Sequence, residues 1–229
     1  NITFGSLDIY SRFLIPIMKP NIDKAIYLDA DTVVLDDIYK LYNENIDDYY
    51  IGAVAELTTT SCPRNIGIPK SHKYFNSGVL LINSKKWRED NIKDKLFEIG
   101  KKYSKLLAYP DQDILNKAFE NNNYKILDYK YNASEGTKKS SSDDNIIVRH
   151  YIGTKPDNLI DKYYYDYNYE NINEFWFYAQ MTPFYAGLQN YYTSIKIDRI
   201  ERNIVIAFED VYLKSKFDKR KIMYYSIGI

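Results

Sequence analysis

The run Ala25-Ile26-Tyr27-Leu28-Asp29-Ala30-Asp31 constrains this chain more than any other stretch. A continuous apolar run stopped by acids reads as a buried strand whose carboxyl end opens on a crevice, where open α/β sheets bind ligands. Two Asp at i and i+2 point to one face of a strand. If the chain turns out of the strand at Ala30, both carboxylates can meet one hard divalent cation, and their oxygens suit Mg²⁺ or Mn²⁺. The triplet also serves as an ordinary polar turn, because Asp bonds its own backbone. The rest of the chain has to decide between the two.

At 229 residues and 45% hydrophobic content, the chain can fill the core of one large domain, or of one domain with an appendage. Lys plus Arg and Asp plus Glu both number 31, so no net field recruits nucleic acid. The single cysteine, Cys62, excludes an internal disulfide and fits a reducing compartment. No apolar stretch approaches the roughly 18 residues that span a bilayer, and the first residues show no basic stretch followed by an apolar one. The expectation is a cytoplasmic chain, soluble or peripheral at a membrane. It starts at Asn1 with a helix-like element leading straight into the Asp-x-Asp strand. Nucleotide-binding sheets normally have earlier strands, so the chain reads as part of a longer protein.

Periodicity orders the elements. Tyr10, Phe13, Leu14 and Ile17 share helical spacing between Ser6 and Met18, and Pro20 with Asn21 ends that helix. Val33 to Leu35 is a short apolar piece, Asp36-Asp37 caps a short helix through Tyr42, and Ile51 to Ala55 reads as a strand. Thr58 to Lys73 has loop chemistry and a length common in lids and binding loops. Tyr74 to Asn83 is a turn followed by an apolar strand, and a charged helix runs from Lys85 to about Tyr103. Asp111 suits the N-cap of a helix carrying Ile114, Leu115, Ala118 and Phe119 on one face. Ser134 to Asn145 is loop-like, and Ile146 to Val148 is a strand running into Arg149-His150-Tyr151. Alternating strands and helices predict a mostly parallel α/β sheet.

Four motifs follow one another: Asp29-Ala30-Asp31, then Phe75-Asn76-Ser77-Gly78 with the apolar run to Asn83, then Asp111-Gln112-Asp113-Ile114-Leu115-Asn116, then His150-Tyr151-Ile152-Gly153-Thr154-Lys155-Pro156. In that order they resemble the family 8 glycosyltransferases. Tyr178-Ala179 and Thr182-Pro183-Phe184-Tyr185 look like the carboxyl-terminal segment of bacterial members, so the resemblance covers most of residues 6 to 185.

The resemblance implies a GT-A fold, a UDP-hexose donor, a Mn²⁺ (or Mg²⁺) ion, and transfer with retention at the anomeric carbon to a saccharide or lipid-linked acceptor. It assigns the metal to Asp29, Asp31 and His150. A departing nucleoside diphosphate builds negative charge, which a bridging cation offsets as a Lewis acid. Around the ion, the resemblance counts Ala30, between the two acids, among the donor-binding residues, and it gives Gly153 a close approach to the diphosphate and Lys155 a point charge for it. Arg12 would reach the donor sugar hydroxyls and Asn76 would lie near the sugar. Asp111 and Gln112 match the pair below the sugar's reacting face. An amide oxygen is a poor nucleophile, which favours a front-face substitution with Gln112 stabilising the oxocarbenium ion and Asp111 orienting the site.

Two departures stand beside the resemblance. The histidine motif is one residue shorter than usual between Gly153 and Lys155, and Asp157 stands where a Trp is common. The amino-terminal strands that hold the base and ribose are also missing from the chain as it reads. A non-catalytic nucleotide-sugar or carbohydrate-binding fragment is therefore the alternative function. The expected organisation is a catalytic domain over residues 1–160 and an aromatic, basic helical extension over 161–229. Lys214, Lys216, Lys219, Arg220 and Lys221, interleaved with Phe217 and followed by Ile222 to Tyr225, predict peripheral contact with an anionic membrane. A solvated helix face explains the same charges.

Overall fold

Strand β4, Val79–Asn83, lies at the centre of the main sheet because both its faces are apolar. Leu80 and Ile82 join one cluster of buried side chains, and Val79 and Leu81 join the other. This is why its sequence shows no alternation. The computed structural model describes residues 7–57, 64–121, 123–134, 145–152 and 169–190. It divides the chain into two compact units, Asn1–Gly153 and Thr154–Ile229. In the second, helix α6 spans Tyr169–Ala179. Cys62, Gly153, Lys155 and the basic tail from Lys214 onward lie outside the described residues.

The first unit opens with a 3-10 helix, Leu7–Phe13, and a one-turn helix α1, Ile15–Met18, with Pro16 pre-set for its first turn. Strand β1, Lys24–Leu28, pairs antiparallel with β4, from Lys24 opposite Asn83 to Leu28 opposite Val79. Strand β3, Ile51–Ala53, flanks β4 on the other side, also antiparallel, and β5, Lys125–Ile126, runs parallel to β3. The order is β1-β4-β3-β5. Strand β2, Thr32–Val34, and strand β6, Val148–His150, form a separate antiparallel pair.

The sheet is therefore mixed rather than mostly parallel. A fully apolar run fits a central antiparallel strand as well as a parallel one, and its direction depends on which distant segment it meets. β1 is also half-buried along its length rather than buried.

Helices α3 (Ser84–Glu89), α4 (Ile92–Tyr103) and α5 (Pro110–Ala118) cover one face. Their Trp87, Leu96, Ile114 and Leu115 pack with Phe13, Ile51 and Phe75. Phe119 sits between Trp87 and Tyr50, with ring centroids 5.8 and 5.5 Å away. Truncating such a ring to Ala costs about 3–5 kcal/mol. On the other face, helix α2 (Tyr39–Tyr42) supplies Leu41, which packs with Ile46, Val54, Leu127, Tyr131 and Val148.

Several local expectations change, beginning with the helix expected between Ser6 and Met18, which is the 3-10 helix Leu7–Phe13 followed by the one-turn α1. The helix expected from Lys85 to Tyr103 is two helices, broken where Asn91 takes a left-handed φ of 48°. Asp111 is not the N-cap of α5, since Pro110 takes the first turn and Tyr109 the cap position. Asp113 accepts the backbone N–H groups of Ala108 and Tyr109 instead. The described end of the 58–73 loop is packed rather than a lid, with Ile66 and Ile68 in the core and Lys117 Nζ donating to the Gly67 carbonyl.

Candidate active site

The register of two antiparallel ladders makes the site. Leu28 opposite Val79 brings the next residue, Asp29, beside Gly78, whose carbonyl accepts the Asp29 N–H at 2.7 Å. Thr32 opposite His150 brings the histidine alongside the end of the Asp-x-Asp turn, and Tyr151 N–H donates to the Asp31 carbonyl at 2.9 Å. Ala30 sits exposed at that turn. Residues 29 and 31 thus meet residue 150 from far along the chain.

His150 Nε2 lies 3.2 Å from Asp31 Oδ1 and 3.9 Å from Asp29 Oδ2, and one ligand atom from each residue falls within 4.8 Å of the others. Adjacent ligands of an octahedral ion at about 2.1 Å stand about 3 Å apart, and opposite ones about 4.2 Å. Two carboxylate oxygens and one imidazole are also a donor set that Mn²⁺ accepts. The three residues fit the ion that the motif implies.

Asp29 is held by its other oxygen. Oδ1 accepts from Arg12 Nη2 at 2.9 Å and from the Tyr27 hydroxyl at 2.6 Å. Burial, then the bond to Asp29, pushes the Tyr27 hydroxyl well up, so it remains a donor. Arg12 is not a surface residue. Its side chain is 6% exposed, it stacks over the Tyr27 ring at 4.4 Å, and its Nη1 reaches the Ser77 carbonyl at 2.8 Å and Asp111 Oδ2 at 2.9 Å. One guanidinium thus bridges the Asp29 end and the Asp111 end of the site, a task suited to a planar fork of donors.

Helix α5 delivers Asp111 and Gln112. Asn116, one turn on, bonds both the N–H and the carbonyl of Phe75, each at 2.9 Å, and so clamps the Asn76-Ser77-Gly78 segment against the helix. Gln112 Oε1 accepts from Ser77 N–H at 3.0 Å and Asn76 Nδ2 at 3.1 Å, while its Nε2 donates to Glu56 at 3.2 Å. Asp111 Oδ2 also accepts from Ser77 Oγ at 3.0 Å. Beneath them, buried Asp113 takes the Tyr74 hydroxyl at 2.5 Å, and burial pushes its carboxyl up.

Gly78 leaves room for the histidine. A Cβ there would stand 2.0 Å from His150 Cε1, 2.7 Å from Nδ1 and 2.8 Å from Asp29 Oδ2. The need is close approach, not backbone freedom.

Arg12, Asn76, Asp111, Gln112, Asp29, Asp31 and His150 are therefore gathered in one place. Tyr27, Glu56 and Asn132 join them without a motif to announce them. Tyr27 could have been found by strand alternation, since it shares a face with Asp29. Asn132 carries no such signal, because it reaches His150 through the pairing of Ala133 beside Arg149.

The sequence profile of glycosyl transferase family 8 matches residues 1–158. The chain belongs to this family. Among its relatives, a lipopolysaccharide 1,2-glucosyltransferase of Escherichia coli is 34% identical over 169 residues, 66% of this chain and 49% of the relative. Glycosyltransferase GlyE of Streptococcus pneumoniae is 34% identical over 128 residues, 56% of this chain and 28% of the relative. The galactosyltransferase LgtC, solved in complex with donor and acceptor sugar analogues, superposes with a TM-score of 0.60 at 28% identity, covering 74% of this chain and 66% of LgtC. The fold is GT-A. The chain spans half or less of the length of the curated relatives it matches.

Proposed function

We propose that this chain carries the metal and sugar side of a retaining hexosyltransferase that moves a hexose from a UDP-sugar to a saccharide or lipid-linked acceptor. The observation that carries the reading is the meeting of Asp29, Asp31 and His150 within 4.8 Å, with Arg12 tying that group to Asp111 beside Gln112. Asp29, Asp31 and His150 would hold Mn²⁺, which when bound supplies Lewis acidity toward the departing diphosphate.

The protein's own groups do the rest. Arg12 fixes Asp29 and Asp111 in one frame, and Asn76 and Gln112 form a buried amide pair whose orientation backbone N–H groups set. In a front-face substitution the bond from the anomeric carbon to the diphosphate breaks as the acceptor oxygen bonds on the same face, and the acceptor proton passes to the departing phosphate oxygen. Gln112 offers the partial negative charge of its amide oxygen to the developing oxocarbenium ion. Asp111 is a weak nucleophile here, since a guanidinium and a hydroxyl both hold its Oδ2. That favours the front-face route over a covalent intermediate. LgtC also has an active-site glutamine, replaced by glutamate in a solved variant, which accords with a place for Gln112 in the site.

The test is hydrolysis of UDP-glucose and UDP-galactose by the full-length gene product with and without Mn²⁺. Mn²⁺-dependent release of hexose with the α configuration kept supports the reading, and sugar binding without turnover supports a binding module instead. Among the described residues no helix is long and apolar enough to cross a membrane. The basic and aromatic residues from Lys214 to Tyr225 support a cytoplasmic enzyme held peripherally at the membrane. Sedimentation with anionic vesicles should fall when residues 214–225 are removed and when salt is raised.

A further inference from the structure

Resting on the metal reading above, we propose that Asn132 is a positioning residue that fixes His150 as the tautomer with its proton on Nδ1, leaving the Nε2 lone pair toward Asp29 and Asp31. The assignment follows from a chain of hydrogen bonds that runs from the Gly78 N–H to the Nδ1 side of the ring. Gly78 N–H can only donate, and it donates to Asn76 Oδ1 at 2.9 Å. The atom of Asn132 that meets the same Asn76 oxygen, at 2.9 Å, is therefore its Nδ2. That turns Asn132 Oδ1 to His150 Nδ1, also at 2.9 Å. An amide oxygen only accepts, so Nδ1 of the neutral ring bears the hydrogen. Nε2, 3.2 Å from Asp31, is then the bare nitrogen a cation needs.

Asn132 and His150 are 0% and 5% exposed, so water does not compete freely for Nδ1. The second histidine reads the opposite way by the same logic. Phe75 N–H donates to Asn116 Oδ1, and His72 Nε2 lies 2.9 Å from that oxygen, so His72 carries its proton on Nε2. The chain's two histidines are fixed in opposite tautomers by two buried asparagines.

Long-range ¹H–¹⁵N correlation spectra of the metal-free chain, labelled at histidine, should show one ring of each kind. Asn132→Leu, close in volume and unable to accept, should leave His72 unchanged and move His150 toward a mixture or the Nε2–H form. Mn²⁺ affinity measured with UDP present should fall about 10- to 100-fold. Asn132→Asp keeps an acceptor toward Nδ1 but sets its other oxygen against Asn76 Oδ1, so it should keep the tautomer while losing stability and less Mn²⁺ affinity than Asn132→Leu. It also decides the matter if the Leu variant does not fold. An Nε2–H His150 in the parent chain or in Asn132→Asp overturns the proposal, as does an Asn132→Leu protein with unaltered tautomer and Mn²⁺ affinity. A parent chain with the Nδ1–H form that binds no Mn²⁺ overturns the metal reading while leaving the role of Asn132 intact.

Discussion

Arg12 holds one oxygen of Asp29 at 2.9 Å and leaves the other to face His150. The division leaves one carboxylate oxygen to a fixed guanidinium and the other, under the metal assignment proposed above, to an exchangeable cation. A carboxylate free to rotate would offer either oxygen to either partner. Arg12 removes that choice before any ligand arrives, which is what preorganisation means for a metal ligand.

Arg12→Ala should destabilise the chain by about 3 kcal/mol, the lower end of the ~3–5 range for breaking a buried pair, because Asp29 keeps 27% exposure of its side chain. Arg12→Lys keeps the charge but cannot span Asp29, Asp111 and the Ser77 carbonyl together, so it should lose at least half as much. Urea unfolding midpoints measure both.

Asp31→Ala should abolish Mn²⁺-dependent binding of UDP while leaving the urea midpoint within about 1 kcal/mol of the parent. Titration calorimetry with and without Mn²⁺ reads the first quantity. Unchanged Mn²⁺ affinity would remove Asp31 from the metal assignment.

Gln112→Ala should lower kcat about 100-fold with donor KM little changed, since the amide's effect grows with charge at the anomeric carbon. It should also cost about 1–3 kcal/mol of stability by orphaning the Ser77 N–H. Steady-state kinetics on the full-length gene product separate the outcomes. A change confined to KM makes Gln112 a binding residue, and a sugar adduct trapped on Asp111 ends the front-face route.

His72 makes stability fall on mild acidification. Burial holds its imidazole below the usual value, so the unfolded chain takes up the proton first. The contribution is intact above the ordinary histidine pKa of about 6.5 and declines as pH falls from there toward the folded-state value. Between pH 7 and 5 the urea midpoint should drop more steeply for the parent than for His72→Gln, whose amide can still donate to Asn116. Equal slopes would show that His72 is not the group responsible.

How much of this was legible in the sequence depended on the range of each interaction. The Asp-x-Asp turn, the short apolar piece at Val33, the α5 segment and the histidine at the end of β6 were readable because each signal lies within one element. The direction of β4 was not, since apolar content reports burial and says nothing about whether the neighbour runs up or down. Asn91 breaking a helix was hidden inside a charged stretch that suits either one helix or two. Asp111 looked like a cap because Asp prefers that position, yet Asp113 holds the backbone N–H groups of Ala108 and Tyr109 while Asp111 turns to Arg12. Arg12 and Asn132 have meaning only through partners far along the chain, Asn76 for the one amide and Ser77 for the guanidinium.

The bare α-carbon of Gly78 works as a keyhole. Any side chain would have to occupy space already filled by His150 and by the ligand oxygen of Asp29. The acids and the histidine can therefore all be spelled correctly in a homologous gene and still fail to meet, if that one codon changes. When chains of this family are sorted into working transferases and descendants that have kept the scaffold but lost the chemistry, the residue two places after the Asn76 equivalent is the cheapest letter to check.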